Sequence, residues 1–329
     1  MRAVQFSEYG PAEVVHVAEA PAPHAGPNRI RIAVRASGVT AGETYLRSGR
    51  LRDIVPTEFP FVTGVDAAGV VDEIGDGVTG VSLGDEVFGV SATFGGTNAD
   101  HAVLEAWAPK PAEWSWAEAG GASGNVETST RVLDRLGTRP GQTVLIHGAA
   151  GGVGTVAIQL AVARGATVIG TASAHNHDFL RSLGATPTTY GPGLVDRVRE
   201  LAPAGVDGVF DCAGGALPDL ITIAGDAARV VTIADFEAAA HGVHMSHGAP
   251  AGEVDQGGEG GEGGEGGEGG ATIGAADPPA LHGLAIAAEL AGQGRLRIPV
   301  AATFPLEAAA EAHTLVETRH ARGKIVLLN

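Results

Sequence analysis

Apolar and polar residues alternate from Ile30 to Ala36. Ile30, Ile32, Val34 and Ala36 lie on one face and Arg31, Ala33 and Arg35 on the other, the pattern of a half-buried strand. Glycine-punctuated runs follow at Gly64–Gly69 and Gly84–Gly89, so residues 1 to about 120 read as short strands joined by tight turns. From about Val126 the period lengthens. A helical segment runs to Leu136, Arg139-Pro140-Gly141 makes a turn, and the apolar strand Val144, Leu145, Ile146 ends in glycines. A helix with apolar residues at Val153, Val156, Ala157, Leu160 and Ala161 follows at once, and the next apolar run, Ala166–Ala172, comes one helix length later. That spacing is a βαβ unit. Further strands are expected at Gly208–Cys212 and Arg229–Ile233, and a helix capped by Asn176 and stopped at Gly184 lies between the βαβ unit and these strands. Asp277-Pro278 opens a helix to Gln293, and Arg297–Val300, a helix from about Leu306 and a last strand, Lys324–Leu328, follow. The alternation predicts an α/β fold whose doubly wound, mostly parallel sheet is preceded by a β-rich unit.

Candidate chemistry concentrates in Thr143–Gly154, TVLIHGAAGGVG. Glycines at 148, 151 and 154 allow a sharp turn and close approach to a pyrophosphate, while the first N–H groups of the next helix face the phosphate oxygens. The spacing is Gly-x-x-Gly-x-x-Gly, because Ala150 stands where a GxGxxG pattern has glycine. The pattern points to a dinucleotide site, with an ordinary strand–turn–helix as the plainer reading.

Composition narrows the partners. The 329 residues are 44% hydrophobic and 18% charged, enough for a full core and two domains. A formal net charge of −17 argues against nucleic acid or an anionic membrane, both of which need a basic face. No stretch approaches the ~20 apolar residues of a membrane span, and the start runs straight into a strand, so a soluble, cytoplasmic protein with a small-molecule ligand is expected. Cys212 is the only cysteine, which leaves no internal disulfide and no cysteine-rich zinc site; inside an apolar strand it reads as structural. His241, His244 and His247 would share a helix face, but here they cross a strand, where i and i+3 point apart. Val243–His247 is a candidate edge strand for pairing. Gly257–Gly270, four Gly-Gly-Glu units and a closing Gly-Gly, has nothing apolar to bury and reads as a mobile, solvated loop.

GVTAGETYLRSG (38–49), PFVTGVDAAGVV (60–71), GDEVFG (84–89), HGAAGGVG (147–154), FDCAGG (210–215) and ARGKIVLL (321–328) together resemble the medium-chain dehydrogenase/reductase superfamily, in particular its zinc-free quinone oxidoreductase (zeta-crystallin-like) branch. The resemblance implies a GroES-like catalytic domain at 1–122, completed by 296–329. It also implies a Rossmann NADP-binding domain at 123–295 with a Gly/Glu-rich insertion at about 249–271, a cleft between the two, and homodimers. Zinc-dependent relatives carry ligands at places that here look like Thr40 and Gly64-Val65-Asp66, and the lobe of four cysteines is missing, so no metal is expected. The implied chemistry is NADPH-dependent reduction of a quinone or α,β-unsaturated carbonyl, since an alcohol is hard to oxidise without a Lewis acid.

Cofactor choice follows from Thr171-Ala172-Ser173, which has no acid until Asp178 to bind a ribose 2′-OH; NADPH is favoured. The resemblance places the cofactor against Ala150, Gly151, Gly152, Val153 and Gly154, its phosphate near Ser173, His177 and Tyr190, and its nicotinamide near Thr128. Ala213-Gly214 and Ile233-Ala234 match loops along the cofactor. His177 stands where relatives often have Lys or Arg; an exposed first-turn helix residue is its alternative role. Lys324 resembles a lysine by the cleft, or else a cation closing the interface. Tyr45 resembles the substrate-side tyrosine, able to orient or protonate a carbonyl oxygen, or else packs as cleft wall. Thr40 and Glu43 depart from the relatives' Asn and Asp. An enoyl or tailoring reductase of a biosynthetic pathway and an NADPH-binding protein without catalysis are the competing readings.

Overall fold

The structure is a computed structural model that describes residues 1–53, 55, 57–91, 95–248 and 276–329. The Gly-Gly-Glu repeat, expected to be a mobile loop, lies outside the described residues.

Strand β1 (Arg2–Phe6) buries four of its five residues and pairs antiparallel with β2 (His16–Glu19). The alternating segment is β3 (Ile30–Val39), with Ile30, Ile32 and Val34 buried. It feeds helix α1 (Ala41–Arg47) through a capping box: Thr40 Oγ1 accepts from Glu43 N while Glu43 Oε1 accepts from Thr40 N. β4 (Phe61–Val62) pairs with β1, and β5 (Asp66–Ile74), β6 (Glu86–Ser91) and β7 (His101–Pro109) form an antiparallel meander. β7 returns to β3 and closes these strands on themselves. Gly69 permits the closure, because a Cβ there would stand 2.2 Å from Ala33 O.

Helices α2 (Trp116–Gly120) and α3 (Ser123–Arg135) lead to the alternating half. It comprises β8 (Thr143–His147), α4 (Gly152–Ala163), β9 (Thr167–Thr171), α5 (His177–Ser182), β10 (Thr186–Thr188), α6 (Leu194–Leu201), β11 (Gly208–Asp211), α7 (Leu217–Ala224), β12 (Val230–Thr232) and β13 (His244–Met245). Every pairing in this sheet is parallel and its order is β10-β9-β8-β11-β12-β13. Strand order therefore reverses beside β8, and a crevice opens at the carboxyl ends of β8 and its neighbours. Helix α4 is buried from Gly154 to Ala161 and packs with Ile146, Val126 and Leu133 in the largest apolar cluster. After α8 (Gly283–Gly292), β14 (Val300–Pro305) and α9 (Ala309–Glu317), the last strand β15 (Lys324–Leu328) pairs antiparallel with β3, so the chain's end completes the first sheet.

Several local expectations are corrected. Asn176 does stand at the N-cap position of α5, but its side chain makes no capping bond: it ends a 3-10 turn with φ −98° and ψ 0°, and its amide reaches Ser173 Oγ at 3.4 Å. Asp277-Pro278 does not open a helix, because two successive prolines disfavour helical backbone before them, and α8 starts at Gly283. Of the segment Arg297–Val300 only Val300 belongs to a strand, past Pro299, which has no N–H for the ladder. Asp277 has another role. Its N–H donates to His247 O (3.0 Å), Gly248 bridges to it in parallel, and its carboxylate is held by Arg135, His244 and Ser246. His244 is thus committed to a carboxylate, and no group of three metal-ligating side chains occurs among the described residues.

Candidate active site

At the crevice, β8 ends in a turn that only glycine fits. Gly148 has φ +77°, and a Cβ on Gly154 would stand 2.6 Å from Gly148 O and 2.7 Å from Ala149 Cα. Helix α4 therefore seats directly on the loop. Its first internal bond runs from Thr155 N to Gly151 O, so the N–H groups of Gly152, Val153 and Gly154 have no acceptor within the helix. A Cβ on Gly151 would meet only Gly148 O, at 3.5 Å, an ordinary contact. A rigid turn, free donors and the positive end of the α4 dipole fit the pyrophosphate of a dinucleotide.

Polar residues at the strand ends hold the surrounding loops. Asp211 Oδ1 accepts from Ala213 N and Gly214 N, and its Oδ2 accepts from Thr232 Oγ1 (2.8 Å). Thr232 Oγ1 accepts in turn from Ala234 N and Asp235 N, and Asp235 Oδ2 from Gly215 N. His147 Nδ1 meets Thr171 Oγ1 at 2.9 Å; burial holds this imidazole below its usual range, with Asp211 pulling the other way. Burial and Asp211 push the Cys212 thiol well up, so it is no thiolate nucleophile. Ala150 to Gly154, Ser173, Ala213-Gly214 and Ile233-Ala234 thus sit at the carboxyl edge of four neighbouring strands. His177 starts α5 with Nε2 near Ala172 O (3.4 Å), and Tyr190 is exposed just after β10. Thr128 is half-buried on α3, and its hydroxyl is engaged with Glu127 and Arg131.

The first sheet faces this crevice with a buried charged cluster. Lys324 is 4% exposed and Asp66 fully buried, with Nζ 3.1 Å from Oδ2 but without hydrogen-bond alignment. Beside them Glu43, 4% exposed, accepts from Thr40 N, Thr40 Oγ1, Gly64 N and Asn98 Nδ2. Burial pushes its carboxyl up to about 7, Asp66 adding and Lys324 and Thr40 opposing. Gly124 N, at the start of α3, points at Asp66 Oδ2 (3.3 Å), and Gly323 N donates to Ala150 O (3.1 Å), which ties this sheet to the glycine loop.

Tyr45 projects from α1 and meets Phe236, from the loop after β12, edge-on at 5.6 Å. The Arg50 guanidinium lies over both rings, at 4.9 and 4.5 Å, and Arg319 Nη2 donates to the Tyr45 phenol oxygen (2.9 Å). One aromatic–cation group therefore spans from the first sheet to the parallel one. Sequence reasoning picked out Tyr45 but not Arg50, Phe236 or Arg319, whose meeting depends on packing rather than on spacing.

Two family models match this arrangement: the alcohol dehydrogenase GroES-like domain over residues 26–131 and the zinc-binding dehydrogenase family over 183–327. The chain belongs to the medium-chain dehydrogenase/reductase superfamily. Within the superfamily it falls on the quinone oxidoreductase-like branch. A quinone oxidoreductase from Rattus norvegicus is 35% identical over 181 residues, 52% of this chain and 53% of that one. A solved NAD-dependent alcohol dehydrogenase is 29% identical with a TM-score of 0.78, each chain covered in full. A mycobacterial protein solved with NADPH is 26% identical with a TM-score of 0.76, again over both full lengths. The chain spans about half the length of the curated quinone oxidoreductase and VAT-1 relatives it matches, and under a tenth of two polyketide synthase proteins and a mycoketide-CoA synthase.

Proposed function

We propose that this superfamily member is a zinc-independent reductase that uses NADPH to reduce a quinone or an α,β-unsaturated carbonyl. The observation that carries the reading is Lys324. Its ammonium is buried against Asp66 and beside Glu43, in the block where zinc-dependent relatives place metal ligands. A fixed protein cation already answers those carboxylates, and a metal ion would be repelled by it. Without a Lewis acid, alcohol oxidation is disfavoured and a conjugated acceptor, whose reduced form spreads its charge, is favoured.

NADPH, when bound, supplies the hydride. The chain's own residues then position and protonate. Free N–H groups of α4 receive the pyrophosphate. The end of β9 offers no carboxylate to a ribose: Asp178, the nearest acid in sequence, turns to Arg181 (2.6 Å), which supports the phosphorylated cofactor. Arg319 donates to the Tyr45 oxygen and leaves the phenol proton for the acceptor's carbonyl oxygen, while Phe236 and Arg50 fix the ring. Among the described residues β13 is the last strand of the parallel sheet, a position that suits pairing with a second copy, and no helix among them is long and apolar enough to cross a membrane.

NADPH and NADH oxidation is to be followed against 1,4-benzoquinone, 9,10-phenanthrenequinone and a 2-enoyl thioester, with and without EDTA. The thioester is included because polyketide synthases are among the matches. NADPH-selective, EDTA-insensitive turnover is expected, and loss of turnover with EDTA would sink the zinc-independent reading.

A further inference from the structure

The adenosine side of the crevice carries a cation, Arg322 of the ARGKIVLL motif, to which the motif itself assigns no role. Arg322 is exposed and immediately precedes Gly323, which bridges in parallel to Gly151 and donates its N–H to Ala150 O. The backbone bearing Arg322 is therefore bonded to the glycine loop itself. Its guanidinium lies 4.8 Å over the ring of Phe179, two residues beyond His177 on α5. One side chain thus reaches from the glycine loop to the segment after β9. Beneath it runs an open groove of about 420 Å³, walled by Phe179, Pro299 to Ala301 and His320 to Arg322.

The charges around Arg322 are already spoken for. Asp178 is paired with Arg181, and Glu317 with Arg47; among the described residues no carboxylate forms an ion pair with Arg322. Arginine is a permanent cation whose planar fork matches a phosphate, and stacking on an aromatic ring fixes that plane in advance. We propose that Arg322, held by Phe179, receives the 2′-phosphate of NADPH and sets the preference for NADPH over NADH. It supplies there the charge that His177, in place of a relative's Lys or Arg, does not supply permanently. This rests on the reading of the crevice as a nicotinamide cofactor site.

Calorimetric titration with 2′,5′-ADP and with 5′-AMP tests it on the full chain, on Arg322→Gln and on Arg322→Lys, alongside KM for NADPH and NADH. Wild-type protein is expected to prefer 2′,5′-ADP. Arg322→Gln should lower that preference by about 10- to 100-fold, and Arg322→Lys should restore part of it. A preference that survives Arg322→Gln overturns the assignment of this residue alone. Wild-type protein that binds both nucleotides but does not discriminate overturns the assignment together with the NADPH reading, and wild-type protein that binds neither overturns the cofactor site itself.

Discussion

Replacing Lys324 with methionine tests the charged cluster most directly. The stem is held between Gly38 and Gly121, each of which would place a Cβ within 2.6 Å of it, so methionine fills nearly the same space and only the charge is lost. What remains is a fully buried Asp66 beside a buried Glu43 with no cation between them. Removing one partner of a buried ion pair costs about 3–5 kcal/mol, mostly for stranding the other charge. Because the Lys324–Asp66 pair has no aligned hydrogen bond, the pair itself contributes little, and Lys324→Met/Asp66→Asn should recover about 2 kcal/mol of that loss. The pH dependence gives a second check. Native Glu43 holds its proton to about 7 against 4.5 unfolded, so the native state binds more protons in that window and stability falls as pH rises through it, by about 3 kcal/mol in all. Lys324 opposes that shift, so without it the fall extends above 7 and the gap to wild type widens with pH. Urea unfolding at acid, neutral and mildly alkaline pH measures this. A loss under about 1 kcal/mol at neutral pH, or a gap that narrows as pH rises, refutes the reasoning.

Burial and the neighbouring Arg47 hold His313 down to about 4, against 6.5 unfolded, so it contributes stability above 6.5 that is lost as pH falls toward 4, by about 3 kcal/mol. His313→Leu should level the drop in Tm over that window, and an unchanged acid slope would count against it. Gly154→Ala gains about 1 kcal/mol of helix propensity but sets a Cβ against backbone atoms of the loop, which costs about 1–3 kcal/mol. Nucleotide affinity by calorimetry should drop at least about 10-fold, and unchanged affinity would remove the α4 N-terminus as the phosphate site. Tyr45→Phe keeps the ring against Phe236 and Arg50 but loses the phenol. A fall in kcat of about 10²-fold or more identifies a proton donor, and a change confined to KM leaves Tyr45 as cleft wall.

Much of the fold lay open in local pattern. The strand Lys324–Leu328 and the run from Thr143 through α4 are where their spacing puts them, because apolar periodicity and glycine conformation act within a few residues. Errors cluster where a turn decides: the proline pair at 278–279 and the 3-10 turn before α5. The site divides the same way. The glycine loop was legible. The cluster of Glu43, Asp66 and Lys324 was not, since three charged residues far apart in sequence announce burial only when three strands and a helix close over them. Asp211 and Thr232 gave a fainter signal, each a polar residue that ends an apolar run at a strand's carboxyl end.

The clamp at Asp277 has a consequence for what the chain tolerates. Gly248 and Asp277 are joined by a backbone bridge, and the carboxylate is locked by Arg135, His244 and Ser246, all residues on the near side of the junction. The two ends of the interval 249–275 are thus brought together by bonds that the interval does not supply. The entropic cost of closing a chain between two such fixed ends rises by only about 0.6 kcal/mol for each doubling of its length. This interval is therefore the natural point of attachment for a fluorophore or a whole inserted module. Through it a second function can be grafted while the parallel sheet keeps its register.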